Sequence, residues 1–232
     1  MSEPAPRPTA WETVDPRVRD HVAALLATAQ DGVLPVVQAG HPVLRRPAQP
    51  YTGQLGDLLP ELLDVMRATM LAAPGVGLAA PQVGIGLRIA VLHDPGFPPG
   101  YEDAAAERER LPLAHRTIVN PRYEAVPTPG EGPDVERRSF YEGCLSVAGY
   151  QAVTARHRSV RLVAQDEHGR PVDEVLTGWT ARIVQHETDH LDGTLYVDRA
   201  ELRSLASNST FASLWGGVAT ADVGRVLGFD VA

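Results

Sequence analysis

An α+β fold, with small, mostly antiparallel sheets packed around one central H-E-x-x-H helix, is what the sequence predicts, and three stretches carry that expectation. Thr177 to Leu191 has helical character, with Thr177 as candidate N-cap and Gly193 just past the end. Before it, Ser159 to Gln165 alternates Val160, Leu162 and Ala164, turns at His168–Gly169 and returns over Val172 to Leu176, the pattern of a β-hairpin. Leu87 to Leu92 (L-R-I-A-V-L) reads as a buried strand.

The remaining elements follow in order. Met1 to Trp11 carries Pro4, Pro6 and Pro8 without a basic region leading into an apolar one, so no secretory signal is expected. Glu3 and Asp15 argue against an organellar transit peptide. From Asp15 to Gln30, Val18, Val22, Leu25 and Leu26 share a helical stripe, with Asp15 as cap ahead of Pro16 and Gly32 as stop. A second helix fits Gln54 to Leu71, where Leu58, Leu62, Val65, Met66 and Met70 recur at helical spacing until Pro74 and Gly75 break it. Asp94 to Leu113 is dense in Pro, Gly and charge and is expected to be a surface insertion without chemistry. Thr117 to Asn120 fits a short strand, and a mixed tail follows about Ser204. The chain thus divides into an extension with an added helix (1–32), a main domain (33–203) containing the 94–113 insertion, and a tail (204–232).

Composition narrows the function. The 232 residues suit one domain with extensions, and 44% hydrophobic with 22% charged residues is ordinary globular usage. All 21 basic residues are arginine, against 29 acidic ones; a net charge of −8 excludes a broad nucleic-acid-binding face. Cys144 is the only cysteine, so neither an internal disulfide nor a four-cysteine zinc site can form. No apolar run reaches the length of a membrane span, and a soluble cytoplasmic protein is expected.

Three patches carry chemistry. His186-Glu187-Thr188-Asp189-His190 is an H-E-x-x-H pattern: residues four apart on a helix share a face, so two imidazoles can converge on one metal with Glu187 at its edge. The pattern alone leaves a packed or solvated histidine pair open. A catalytic metal needs three protein ligands and an open position. Downstream of His190 there is no histidine, and Asp192 is too close along the helix, whereas Cys144 upstream would complete a Cys-His-His set. A lone cysteine can equally be a small buried hydrophobe. The third patch, Gly75-Val76-Gly77-Leu78-Ala79-Ala80-Pro81-Gln82, lets a backbone run close to something and ends on an uncharged amide. No Gly-Lys-Ser/Thr follows, which disfavours phosphate cradling; a tight helix-to-strand turn is the plainer alternative.

Taken together, G-x-G-L-A-A-x-Q, E-G-C-L-S and Q-H-E-x-D-H-L-x-G (Gln185 to Gly193) resemble the peptide deformylase family from about Val36 to Asp198. The resemblance implies hydrolysis of the N-formyl group from the methionine that begins newly made proteins. It implies one divalent metal, natively Fe²⁺, with Zn²⁺, Ni²⁺ or Co²⁺ as alternatives in purified protein, held by Cys144, His186 and His190. A metal-bound water would attack, Glu187 would act as general base and then acid, and the Gln82 amide with the Leu145 backbone N–H would steady the oxyanion. Val76, Gly77 and Gly143 fall where the family binds peptide backbone like an added strand, and Ile183, one turn before His186, is a candidate wall of the methionine pocket. Glu142 and Arg156 resemble an ion pair supporting the cysteine loop, while Ala148 and Gln151 depart from the family pattern and leave peptide-side specificity open.

The implied partners are N-formylmethionyl nascent peptides, with no direct nucleic acid and no membrane. A transient ribosome contact would lack a basic-tail signal, since Arg225 is the only basic residue after Ser204. Two other readings stand beside this one. An H-E-x-x-H zinc endopeptidase lacks its downstream ligand, and an inactive metal-containing module that holds formylated peptides would not require both Glu187 and Gln82.

Overall fold

The computed structural model describes residues 13–232, so the Met1–Trp11 reading lies outside the described residues. Helix α1 (Pro16–Leu26) begins as its sequence directs: the Asp15 carboxylate accepts from the N–H groups of Arg17 (2.9 Å) and Val18 (3.4 Å), and Pro16 occupies a position whose N–H has no helical partner. It stops before the expected Gln30, because Gln30 and Val33 pair across a tight turn in which Asp31 and Gly32 adopt φ of 53° and 76°. Helix α2 (Leu59–Ala72) begins five residues later than expected. Pro60 is tolerated in a first turn but not in the interior of a helix started at Gln54, so a 3₁₀ turn at Gly56–Leu58 precedes it.

Among the described residues, eight strands form two antiparallel sheets. The larger runs in the order β1 (Gly77–Ala79), β2 (Ile89–Asp94), β3 (Leu113–Ala125), β6 (Ser159–Gln165) and β7 (Pro171–Thr177). The smaller comprises β4 (Arg137–Gly143), β5 (Tyr150–His157) and β8 (Ala206–Ser207). β3 is far longer than the expected Thr117–Asn120. Asn120 takes φ of 52° and the register shifts between Val119 and Arg122, so the alternation that marks a strand breaks in its middle. The β6–β7 hairpin closes as expected, with Asp166 Oδ1 accepting from the His168 and Arg170 N–H groups at 2.9 Å and Gly169 at φ 76°.

Helix α3 (Glu102–Glu107) adds a short helix within the 94–113 stretch, whose Pro, Gly and charge content predicts a loop-like surface insertion. Helix α4 (Gly178–Leu191) matches its expectation, except that the Thr177 hydroxyl bonds Ser159 Oγ (2.9 Å) instead of capping the helix. After β8 come α5 (Asn208–Thr210), continued as a π-helical turn over Phe211–Trp215, and α6 (Thr220–Leu227).

Strand β2 shows how the core is divided. Ile89 and Val91 point into a cluster with Val22, Leu62, Met66 and Met70 of α1 and α2, whereas Ala90 and Leu92 point into a second cluster with Val184 and Leu191 of α4. Each fully buried side chain of the Met66 or Leu62 kind contributes about 2 kcal/mol. The large sheet therefore holds α2 on one face and α4 on the other, and α4 also touches β5 of the small sheet. Among the described residues no helix is long and apolar enough to cross a membrane.

Candidate active site

Three segments meet beside α4. A 3₁₀ turn at Ala80–Val83 follows β1 and supplies Gln82; the loop after β4 supplies Cys144; α4 supplies His186, Glu187 and His190. They border a cleft of about 740 Å³ whose lining includes Val76, Gly77, Gln82, Gly143, Cys144, Leu145, Ile183, His186 and Glu187. Every site residue expected from the sequence is on that cleft apart from His190, which lies beneath it, 1% exposed. β1 and β4 are edge strands of their sheets, so both present unpaired backbone here, the arrangement that lets a peptide add as a strand.

The donor atoms of Cys144, His186 and His190 lie within 4.8 Å of one another. Cys144 Sγ is 3.2 Å from His190 Nε2, which is 3.2 Å from His186 Nε2. A sulfur and two ring nitrogens pressed this close repel unless a proton or a cation sits among them, so the set fits a metal with three protein ligands. The ring orientations agree. His186 Nδ1 is 2.6 Å from Glu142 Oε1, and donating its proton there leaves Nε2 to face the cluster. Burial opposes protonation of His186, but hydrogen bonds to Cys144 and Glu142 outweigh it and hold its pKa well above the ordinary value. Burial, with His186 close by, holds His190 well below it.

Glu187 is 3% exposed, and its Oε2 has no partner among the described residues. Burial pushes its carboxyl up to about 7, which suits a group that accepts and returns a proton near neutrality. Gly77 makes room for it: a Cβ there would sit 2.6 Å from Glu187 Cδ. The Gln82 amide is fixed from both ends. Its Oε1 accepts from the Ala79 N–H (2.8 Å), and its Nε2 donates toward Ser146 Oγ (3.3 Å) and Cys144 Sγ (3.6 Å). An uncharged donor is thereby aimed at the cluster. Ile183 is 4% exposed and borders both the cleft and the α4 core.

Behind the cluster lies a buried charge network. Glu142 accepts from Arg156 Nη2 (2.6 Å) and Nε (3.2 Å) and from Arg182 Nη1 (2.9 Å); Arg156 Nη1 reaches Asp189 Oδ2 (2.5 Å). Asp189 also receives Tyr123 Oη and Arg199. Burial would raise the Glu142 carboxyl, but Arg156 and His186 hold it well below the carboxylate range. The Glu142–Arg156 pair was legible in the sequence; Arg182 and Asp189 were not singled out, although both fall on α4 near His186 and His190. Gln38 braces the cysteine loop from outside, donating to Leu145 O (3.0 Å) and accepting from the Ala148 N–H (3.3 Å). The insertion, expected to carry no chemistry, reaches the cleft through Arg110, and the tail reaches it through Asn208.

A thiol and two imidazoles beside a buried carboxylate, at the meeting of two open sheet edges, fit the class of metal-dependent hydrolases acting on an extended chain. A sequence model described as polypeptide deformylase matches residues 33–205. The chain is 59% identical over 211 residues to peptide deformylase 3 of Streptomyces avermitilis (90% of this chain, 89% of the relative). It is 56% identical over 213 residues to peptide deformylase 1 of Streptomyces coelicolor (91% and 93%). Among solved structures, a class I type b peptide deformylase from Acinetobacter baumannii with Met-Ala-Ser bound superposes with a TM-score of 0.61 at 36% identity, covering 72% of this chain and 98% of that one. The chain belongs to the peptide deformylase family, a family of metalloenzymes that remove the formyl group from nascent peptides.

Proposed function

We propose that Cys144, on the loop after β4, and His186 and His190, on the helix that centres the fold, hold the metal of this deformylase, and that Glu187 is its proton-transfer group. The observation that carries this is the convergence of the three donor atoms beside a buried carboxylate with an unpartnered oxygen. A divalent ion in that donor set supplies Lewis acidity toward a water and the formyl oxygen. Glu187 takes a proton from the water as it adds to the formyl carbon, and returns it to the amine nitrogen as the C–N bond breaks, giving formate and a free methionine N-terminus. The Gln82 amide and the Leu145 backbone N–H donate to the oxygen on which negative charge develops. Val76, Gly77 and Gly143 hold the peptide backbone along the two open edges, and Ile183 walls the methionine side chain.

Finer readings accompany this one. Fe²⁺ is the working ion that the family resemblance implies, although the ligand set would favour Zn²⁺ on affinity, and of these ions the ferrous form is the one sensitive to dioxygen beside a thiolate. Residues 33–203 form the catalytic unit, 1–32 an N-terminal extension and 204–232 a tail, and the enzyme works in the cytoplasm on chains leaving the ribosome. The test is apo-protein reconstituted anaerobically with Fe²⁺, Zn²⁺, Ni²⁺ or Co²⁺ and offered a formyl-methionyl peptide beside its unformylated counterpart. Formate release from the first, cleavage of neither chain, and air-sensitive activity only with Fe²⁺ are expected. Internal cleavage would support an endopeptidase instead, and equal, air-stable activity with iron and zinc would leave zinc as the working ion.

A further inference from the structure

The 94–113 segment contributes a charged side chain to the cleft wall, and its construction is specific. Asp94, at the end of β2, has a fully buried side chain that accepts two hydrogen bonds from Arg110, Nε to Oδ2 and Nη2 to Oδ1, both 2.8 Å. The guanidinium carbon lies 4.4 Å from the Phe97 ring centre and 5.4 Å from that of Trp179 on α4. Next to Arg110, Glu109 is locked down: it adopts φ of 49°, pairs with Arg158, and packs where only a glycine at 178 leaves room, a Cβ there meeting Glu109 O at 2.7 Å. The segment is therefore pinned to the N-terminal end of α4. Arg110 is held in the wall of the same cleft as His186 and Glu187, and Nη1 makes no hydrogen bond among the described residues.

Beside Arg110 on the cleft wall, Arg182 lies 5.2 Å from the Phe140 ring centre and is engaged by Glu142, whereas Arg108, 5.3 Å from the same ring, faces a separate pocket and pairs with Glu107. Resting on the deformylase reading of the site, we propose that Arg110 is a specificity residue that receives an acidic side chain of the substrate downstream of its methionine. A guanidinium already oriented by Asp94 loses little freedom when its remaining Nη1 donates to a carboxylate.

The test uses the metal-loaded full chain and three C-terminally amidated peptides, formyl-Met-Ala-Glu, formyl-Met-Ala-Gln and formyl-Met-Ala-Arg, so that no terminal carboxylate competes for the site. We expect kcat/KM for Glu to exceed that for the isosteric Gln by about fivefold, with Arg slower still and the gap narrowing at high salt. Arg110→Gln must abolish the Glu advantage. Because that variant strands a buried carboxylate, the double variant Asp94→Asn/Arg110→Gln, which removes both charges together, must abolish it too. Equal rates for Glu and Gln in the wild type, or a preference that survives both variants, would overturn the proposal while leaving deformylation intact. Formate from none of the peptides would overturn the deformylase reading and this inference with it.

Discussion

Arg156→Ala probes the support of the site at its most connected point. The side chain is 3% exposed and makes three hydrogen bonds to two buried carboxylates. Removing one member of a buried ion pair costs about 3–5 kcal/mol, since the partner stays buried without compensation. Here the lower end applies: Glu142 keeps Arg182 and His186, and Asp189 keeps Arg199 and Tyr123. For a chain of 232 residues, about 3 kcal/mol corresponds to a fall in Tm of about 6–12 °C. Since Glu142 also orients His186, metal retention should fall in parallel, and Arg156→Lys, which cannot fork between both carboxylates, should lie between. Thermal melts with metal content measured by mass spectrometry decide it. A Tm shift under about 2 °C with full metal retention would show that this network does not hold the cysteine loop or the histidine, whatever its geometry.

Other outcomes follow from the same geometry. Gln82→Leu should leave the metal in place and lower kcat by about 10²-fold, because the lost donor faces charge that develops only during reaction; a raised KM at unchanged kcat would contradict this. Gly77→Ala places a methyl against the Glu187 carboxyl and should cut formate release about 10²-fold while metal binding persists; unchanged turnover would show that Glu187 tolerates displacement. In the metal-free protein, a carboxyl raised from 4.5 to about 7 by burial contributes stability below its unfolded pKa that is lost as pH rises through 7. Relative to Glu187→Gln, apo wild type should therefore lose about 3 kcal/mol between pH 4 and 8 in denaturant titrations, and a pH-independent difference would contradict the raised pKa.

What could be read from the sequence depended on whether a residue's partners were local. The α4 histidine pair, its adjacent carboxylate and the β6–β7 hairpin are written in short-range spacing and turn chemistry, and the helix and hairpin that carry them form where expected. β4 and β5 were not anticipated, because their inward positions include Ser139, Glu142, Thr154 and Arg156; a strand that buries a charge network does not alternate apolar with polar. Nothing local marks Arg182, because its partners are carbonyls and Glu142 supplied by β4 and β5. Arg110 was hidden in a stretch whose composition reads as loop, although its buried partner Asp94 lies at the end of a strand. Asn208 reaches the cleft only because β8 adds to the small sheet, and nothing in its neighbours signals that pairing.

The central claim is that three residues hold the metal while a fourth moves the proton, and Glu187→Gln separates those roles in one preparation. Metal content and formate release from a formyl-methionyl peptide are measured on wild type and variant reconstituted side by side without air. The account predicts full metal occupancy with turnover reduced by at least about 10²-fold. Loss of the metal would make Glu187 a ligand, and undiminished formate release would place the proton transfer elsewhere; either result would contradict the account.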